Sequence, residues 1–369
     1  MNVKEMVGNV VLAWQAGKEP VMLRGAPGIG KSAGLLGASA ILADHLGLKG
    51  GVLQWGDPIA MGLTAKDYFG YIDVRLSQCD PVDVGGLPKE DPVTGTQTRL
   101  PPAWFPHRDR ADLPDYGIVA LEEIVSAPQS VQAAAYQFTH DRRIGDKMMM
   151  DGWGVVLTGN RMTDGGQVFK MLTPLANRVT HLDVETDTTS WREWAIDHDI
   201  ELSVIAFIGL RPELLNTFDK HIKEKLRGDA FATERTWEKV SKYAKTGATD
   251  SQLLALWTGC VSEGVAAEFF GFRQIWHAMP NIDAILLDPD NAPLPTDAAA
   301  QYAVAVALAA RASKDTIDVI LRYATRFHEE KNRPEIMVLC VKDTMRRDAG
   351  LYNTAAFIRW GTEYSSLLQ

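Results

Sequence analysis

Two groups of residues in this chain have the types and spacing that handle phosphate. Gly25-Ala26-Pro27-Gly28-Ile29-Gly30-Lys31-Ser32 sets two glycines with four residues between them, then Lys, then Ser. Glycines at 25, 28 and 30 permit a tight loop whose backbone N–H groups converge on phosphate oxygens. Lys31 is placed to reach the β- and γ-phosphates, and the Ser32 hydroxyl to ligate Mg²⁺. The second group ends Gly117-Ile-Val-Ala-Leu-Glu122-Glu123, an apolar run finishing in two carboxylates. Glu122 suits a water-mediated contact to Mg²⁺, and Glu123 suits a water-orienting role toward the γ-phosphate. A third apolar run, Trp153 to Gly159, ends in Asn160, whose amide can hydrogen-bond water or phosphate. Arg178 follows in Leu175-Ala-Asn-Arg178 and could stabilise transition-state charge.

Such groups work only if strands and a helix bring them to one edge. The short run Val21-Met22-Leu23 precedes the loop and a helix is read over Ser32–Leu42, so the loop meets a helix N-terminus, a natural anion site. Further strands are expected at Pro20–Leu23, Gly51–Trp55, Gly117–Leu121, Trp153–Thr158 and Val179–Val184. Strands alternating with helices predict an α/β core with a parallel sheet, whose ligands bind at the C-terminal strand edge. Between the second and third strands lies a long Pro- and Gly-bearing insert, Asp57 to about Asp115, read as functional or as carrying small elements of its own. After about residue 187 the spacing becomes helical, as in Phe231–Ala244, Ser251–Cys260 and Asp315–Phe327. Residues 1–187 are therefore read as the α/β core and 188–369 as a helical region, with Trp191, Trp194 and Trp237 as core anchors.

Composition narrows the function classes. The 369 residues carry a formal net charge of −9, which argues against general nucleic-acid binding while leaving room for a local basic pore. Three scattered cysteines suit a reducing compartment. The N-terminus does not resemble a signal peptide, and the most apolar stretch, about 298–310, is too short to span a bilayer. The expectation is a cytoplasmic protein, bacterial or in the host of a phage, with no membrane insertion. No HExxH or zinc-spaced Cys–His cluster occurs, so Mg²⁺ is the metal expected. His140, His181 and Cys79 lie near the motifs and are read as packing residues.

The order of phosphate loop, acidic pair, asparagine strand and arginine resembles AAA+ ATPases. Val131-Gln-Ala-Ala-Ala-Tyr-Gln-Phe-Thr-His-Asp-Arg-Arg143 and Thr158-Gly-Asn-Arg161 look like the MoxR branch, near its CbbQ/NorQ-type and phage-encoded members. Asp80-Pro-Val-Asp-Val-Gly-Gly-Leu-Pro88 and Pro102-Ala-Trp-Phe-Pro106 are similar to that branch's insert. Trp191-Arg-Glu-Trp-Ala195, Arg211-Pro-Glu-Leu-Leu215 and Phe231-Ala-Thr-Glu-Arg-Thr-Trp237 are similar to its lid. The resemblance covers most of residues 1–245. It implies an AAA+ core with a helical lid and C-terminal helices, and ATP with Mg²⁺ bound between subunits of a hexameric ring. It implies Walker A at Gly25–Ser32, Walker B at Glu122-Glu123, sensor 1 at Asn160, an arginine finger at Arg178 and sensor 2 at Arg235. The activity implied is ATP hydrolysis that remodels a partner, commonly a protein with a von Willebrand factor A domain.

One position departs from the pattern. The first Walker B acid is normally Asp, and Glu122 extends the carboxylate by about one bond, roughly 1.5 Å. Water-mediated contact to Mg²⁺ absorbs such a shift, because Mg²⁺ keeps several waters. Two other readings stay open at this level. One is a nucleic-acid motor of the helicase or clamp-loader kind; the other is an ATP-gated scaffold with marginal hydrolysis.

Overall fold

Apolar runs bounded by glycines and polar residues become the strands of a six-stranded parallel sheet. The computed structural model describes residues 1–164, 169–224 and 229–368. They form two units, Met1–Glu185 and Thr186–Gln369.

In the first unit, helix α1 (Val3–Gln15) precedes β1 (Val21–Arg24), and α2 (Lys31–His45) follows the phosphate loop. Next come β2 (Gly51–Gln54), β3 (Tyr68–Arg75), α3 (Pro81–Gly85), and a hairpin of β4 (Leu87–Glu90) and β5 (Gln97–Leu100). The chain continues through β6 (Tyr116–Glu122), α4 (Gln129–Asp141), and a second hairpin of β7 (Arg143–Ile144) and β8 (Lys147–Met148). It ends with β9 (Gly152–Gly159), α5 (Thr173–Ala176) and β10 (Thr180–Asp183). The sheet order is β10-β1-β9-β6-β3-β2, with every pairing parallel. Strands β6 and β9 are apolar almost throughout and buried, as a sheet covered on both faces requires. Val119, Leu121, Leu157 and Met22 join Phe105, Val131 and Phe138 in one core.

All five expected strands lie in this sheet, within one or two residues at their ends. The insert carries small elements of its own, α3 and the β4–β5 hairpin. It also holds an unexpected strand of the main sheet, β3, which lies between β6 and the edge strand β2 and pairs in register with β6 from Phe69↔Tyr116 to Arg75↔Glu122. Gly70 obscures this strand in the sequence, since glycine weakens strand propensity. Its role is steric. A Cβ on Gly70 would stand 2.4 Å from the Trp153 ring, and one on Gly117 would stand 2.6 Å from it. The two glycines admit a fully buried indole, whose Nε1 donates to the Pro114 carbonyl at 2.8 Å.

The second unit is helical: α6 (Thr188–Asp197), α7 (Leu202–Leu210), α8 (Phe218–Lys223), α9 (Glu234–Ala244), α10 (Asp250–Val261), α11 (Glu263–Ala278), α12 (Ile282–Leu287), α13 (Ala298–Ala309), α14 (Ile317–Glu329), α15 (Pro334–Arg347) and α16 (Ala355–Tyr364). Trp191, Trp237, Trp257, Phe207 and Phe269 centre one core. Tyr323, Phe327 and Trp360 belong to another, and α13 feeds both. A buried ion pair, Arg192 to Asp343 at 2.6 Å, ties α6 to α15. Burial holds the Asp343 carboxyl above the usual carboxylate range, against the opposing pull of Arg192 and Arg347. Among the described residues, no helix is long and apolar enough to cross a membrane.

Between α10 and α11, Ser262 adopts φ 85°, ψ 160°, a region otherwise almost reserved for glycine. Ser262→Gly is therefore expected to stabilise the protein by about 1 kcal/mol, after glycine's own entropy cost. For a unit of this size that is a rise of about 2–4 °C in Tm by thermal unfolding. An unchanged or lower Tm contradicts the strain.

Candidate functional site: a phosphate loop and an acidic strand end

The loop between β1 and α2 bends through left-handed glycines, Gly28 at φ 79° and Gly30 at φ 91°. Gly25 is excluded from any larger residue, because a Cβ there would lie 2.5 Å from both the Ile29 side chain and the Val184 carbonyl. The first N–H groups of α2 lack intrahelical partners by helix geometry and face the loop end, where the helix dipole is positive. Lys31 Nζ spans the loop, donating to the Gly25 carbonyl at 2.7 Å and the Ala26 carbonyl at 2.9 Å. Ala26, Pro27 and Ile29 complete the turn, with Ala26 and Ile29 buried.

Strand order brings the rest to this edge. β9 separates β1 from β6, so the loop, Asn160 and the two acids end three neighbouring strands. The Gly25 N–H donates to the Gly159 carbonyl at 3.3 Å, which sets half-buried Asn160 beside the start of the loop. Ser32 Oγ donates to Glu122 Oε1 at 2.5 Å, and Glu122 is only 9% exposed. The longer carboxylate at 122 thus still meets the loop hydroxyl. A hydroxyl beside a carboxylate is a hard oxygen set suited to Mg²⁺. On the same sheet face, Tyr71 lies four residues earlier in register. Burial first, then the charges of Glu122 and Asp73, push its phenol well above the usual range. It stays neutral beneath the acids.

Glu123 differs from Glu122 in setting. Its backbone is left-handed, φ 60°, ψ 34°, at an exposed turn out of β6. For a non-glycine residue that costs on the order of 1 kcal/mol, and such strain gathers at functional positions. The Glu123 N–H points at Thr158 Oγ1, 3.4 Å away, and its carboxylate accepts a hydrogen bond from Ser77 Oγ. Sequence reading assigns no role to Ser77 or Thr158. Thr158 stands in an expected strand, whereas Ser77 follows β3, whose apolar run is broken by Gly70.

Arg178 is not part of this cluster. It precedes β10, whose first residue, Thr180, pairs with Val21 at the start of β1. The loop leaves the other end of β1, about 10 Å further along the strand direction. Arg178 therefore sits toward the sheet edge opposite its own phosphate loop. Arg235 belongs to the second unit, exposed in the first turn of α9. Arg161, next to Asn160, is held by Asp164, with Nε to Oδ1 at 2.9 Å and N–H to Oδ2 at 2.7 Å.

Comparison with known proteins adds little. No family model matches the chain, and no curated protein matches it. Among solved structures it is similar to a point mutant of RuvB from Thermotoga maritima, at 13% identity and TM-score 0.37, over 84% of this chain and 83% of that one. It is also similar to NtrX from Brucella abortus in complex with ATP, at 11% identity and TM-score 0.36, over 99% of this chain and 68% of that one. At such TM-scores these likenesses decide nothing by themselves. The parallel strand order and the loop geometry of the chain itself define an α/β fold that presents a phosphate loop and a carboxylate pair at one sheet edge.

Proposed function

We propose that this chain is a MoxR-like AAA+ ATPase that binds ATP with Mg²⁺, hydrolyses it between subunits of a ring, and uses the cycle to remodel a partner protein. The observation that carries the reading is the Ser32–Glu122 hydrogen bond beside Lys31, which joins two segments 90 residues apart at a phosphate loop. Lys31 and the N–H groups at the start of α2 would bind the phosphates, with Ser32 and Glu122 holding the metal. Mg²⁺, when bound, supplies positive charge against the β- and γ-oxygens. Glu123 would orient the attacking water and Asn160 would help hold it.

The place of Arg178, toward the edge away from its own loop, supports a role on a neighbour's nucleotide. Arg235 is proposed to sense the γ-phosphate on the resemblance alone. The exposed apolar residues of the first hairpin region, Leu87, Val93 and Leu100, support client contact through the insert. A von Willebrand factor A domain protein is the partner class proposed.

The testing experiment is phosphate release per subunit against protein concentration, at saturating ATP and Mg²⁺. Specific activity should climb with concentration and then level off, as active sites assemble from two subunits. A flat, substantial rate would mean a self-contained site and would remove the ring mechanism. No release at any concentration, with ATP bound, would favour the nucleotide-gated scaffold.

A further inference from the structure

An arginine that acts across an interface must hold its guanidinium in place before the neighbour arrives. A long flexible side chain otherwise loses rotamer freedom at the moment of reaction. In this chain Arg178 is already held in two ways. Its Nη1 donates to the Pro174 carbonyl at 2.9 Å. Its Cζ lies 5.0 Å from the centroid of the Tyr136 ring. The ring is itself fixed. Tyr136 is half-buried against the core around Phe138 and Val131, and it stacks on His140, one helical turn along α4, at 5.9 Å and 22°.

We propose that Tyr136 is a positioning residue for Arg178, an aromatic platform that presents the guanidinium to the nucleotide of the adjoining subunit. The inference rests on the trans-acting reading of Arg178. Its physical advantage lies in what stacking leaves free. Of a guanidinium's five N–H donors the Pro174 carbonyl takes one and a cation–π contact takes none, so the others stay available for phosphate oxygens. An acidic partner would hold the arginine as firmly but would neutralise the charge the reaction calls on.

The test compares kcat, KM for ATP and binding of a fluorescent ATP analogue across full-length variants, at a concentration where wild-type activity has levelled off. Tyr136→Ala should lower kcat about tenfold, with analogue binding unchanged. Tyr136→Phe, which keeps the ring, should stay within about twofold of wild type. Tyr136→Leu, which keeps apolar bulk without a π face, should fall with Tyr136→Ala. The double variant Tyr136→Ala/Arg178→Ala should be no slower than Arg178→Ala alone. A wild-type kcat for Tyr136→Leu, beside an inactive Arg178→Ala, would overturn the platform and leave the finger reading standing. A wild-type kcat for Arg178→Ala would overturn both. If Tyr136→Ala unfolds, the Phe and Leu pair decides the matter, since both keep a bulky apolar side chain against the core.

Discussion

Glu123→Gln is expected to reduce steady-state phosphate release by about 10³-fold while leaving ATP binding intact. The amide keeps the shape of the side chain but cannot take up charge as a proton leaves the attacking water. Binding should survive, because the contacts proposed for phosphate belong to Lys31, Ser32 and the start of α2. Glu123 stands one residue beyond the strand, on a left-handed backbone, with its carboxylate held by Ser77. That setting separates it from Glu122, which faces the loop hydroxyl. The two acids should therefore fail differently. Glu122→Gln should weaken the Mg²⁺ dependence of binding, whereas Glu123→Gln should trap bound ATP. Single-turnover phosphate release together with analogue binding reads both. A Glu123→Gln variant within threefold of wild-type turnover would exclude this carboxylate as the group that activates water.

Arg178→Ala should cost a similar amount, about 10³-fold in kcat, the lower end of what an arginine finger supplies. The decisive form of the experiment is a mixture. Arg178→Ala subunits keep the phosphate loop and lack the arginine. Lys31→Ala subunits lack the loop lysine and keep the arginine. Each is expected to be inactive alone. Mixed at assembling concentrations they should regain activity, because a Lys31→Ala subunit can lend its arginine to a neighbour's intact loop. Recovery requires that the arginine act across an interface, which is what its place before β10, away from its own loop, suggests. A mixture that co-assembles on a sizing column but stays inactive would mean that both residues serve one and the same site.

Much of this was legible in the chain because the relevant information is local. The pattern of the phosphate loop is contained in residues 25–32: glycines that can take positive φ, then a helix start. The strands β1, β6 and β9 announced themselves as apolar runs, since burial on both faces demands them. The helical character of residues beyond 187 followed from spacing in the same way. β3 escaped because its reason for Gly70 lies elsewhere, in the Trp153 ring that fills the space of a missing Cβ. Tyr136 stands in a motif of the resemblance and had no role there, since nothing within α4 indicates that Arg178 lies over its ring.

The sequence by itself determined the loop, the carboxylate pair, the terminal asparagine and the α/β class, because each is written in a short run whose backbone geometry and burial follow from neighbouring residues. Only the tertiary structure decided that Glu122 reaches Ser32 despite its extra methylene, that Ser77 grips Glu123, and that Arg178 lies apart on the Tyr136 ring. The first two contacts span 90 and 46 residues. Contacts that long depend on which strands become neighbours in the sheet, and strand order is settled by packing of the whole unit rather than by any local pattern.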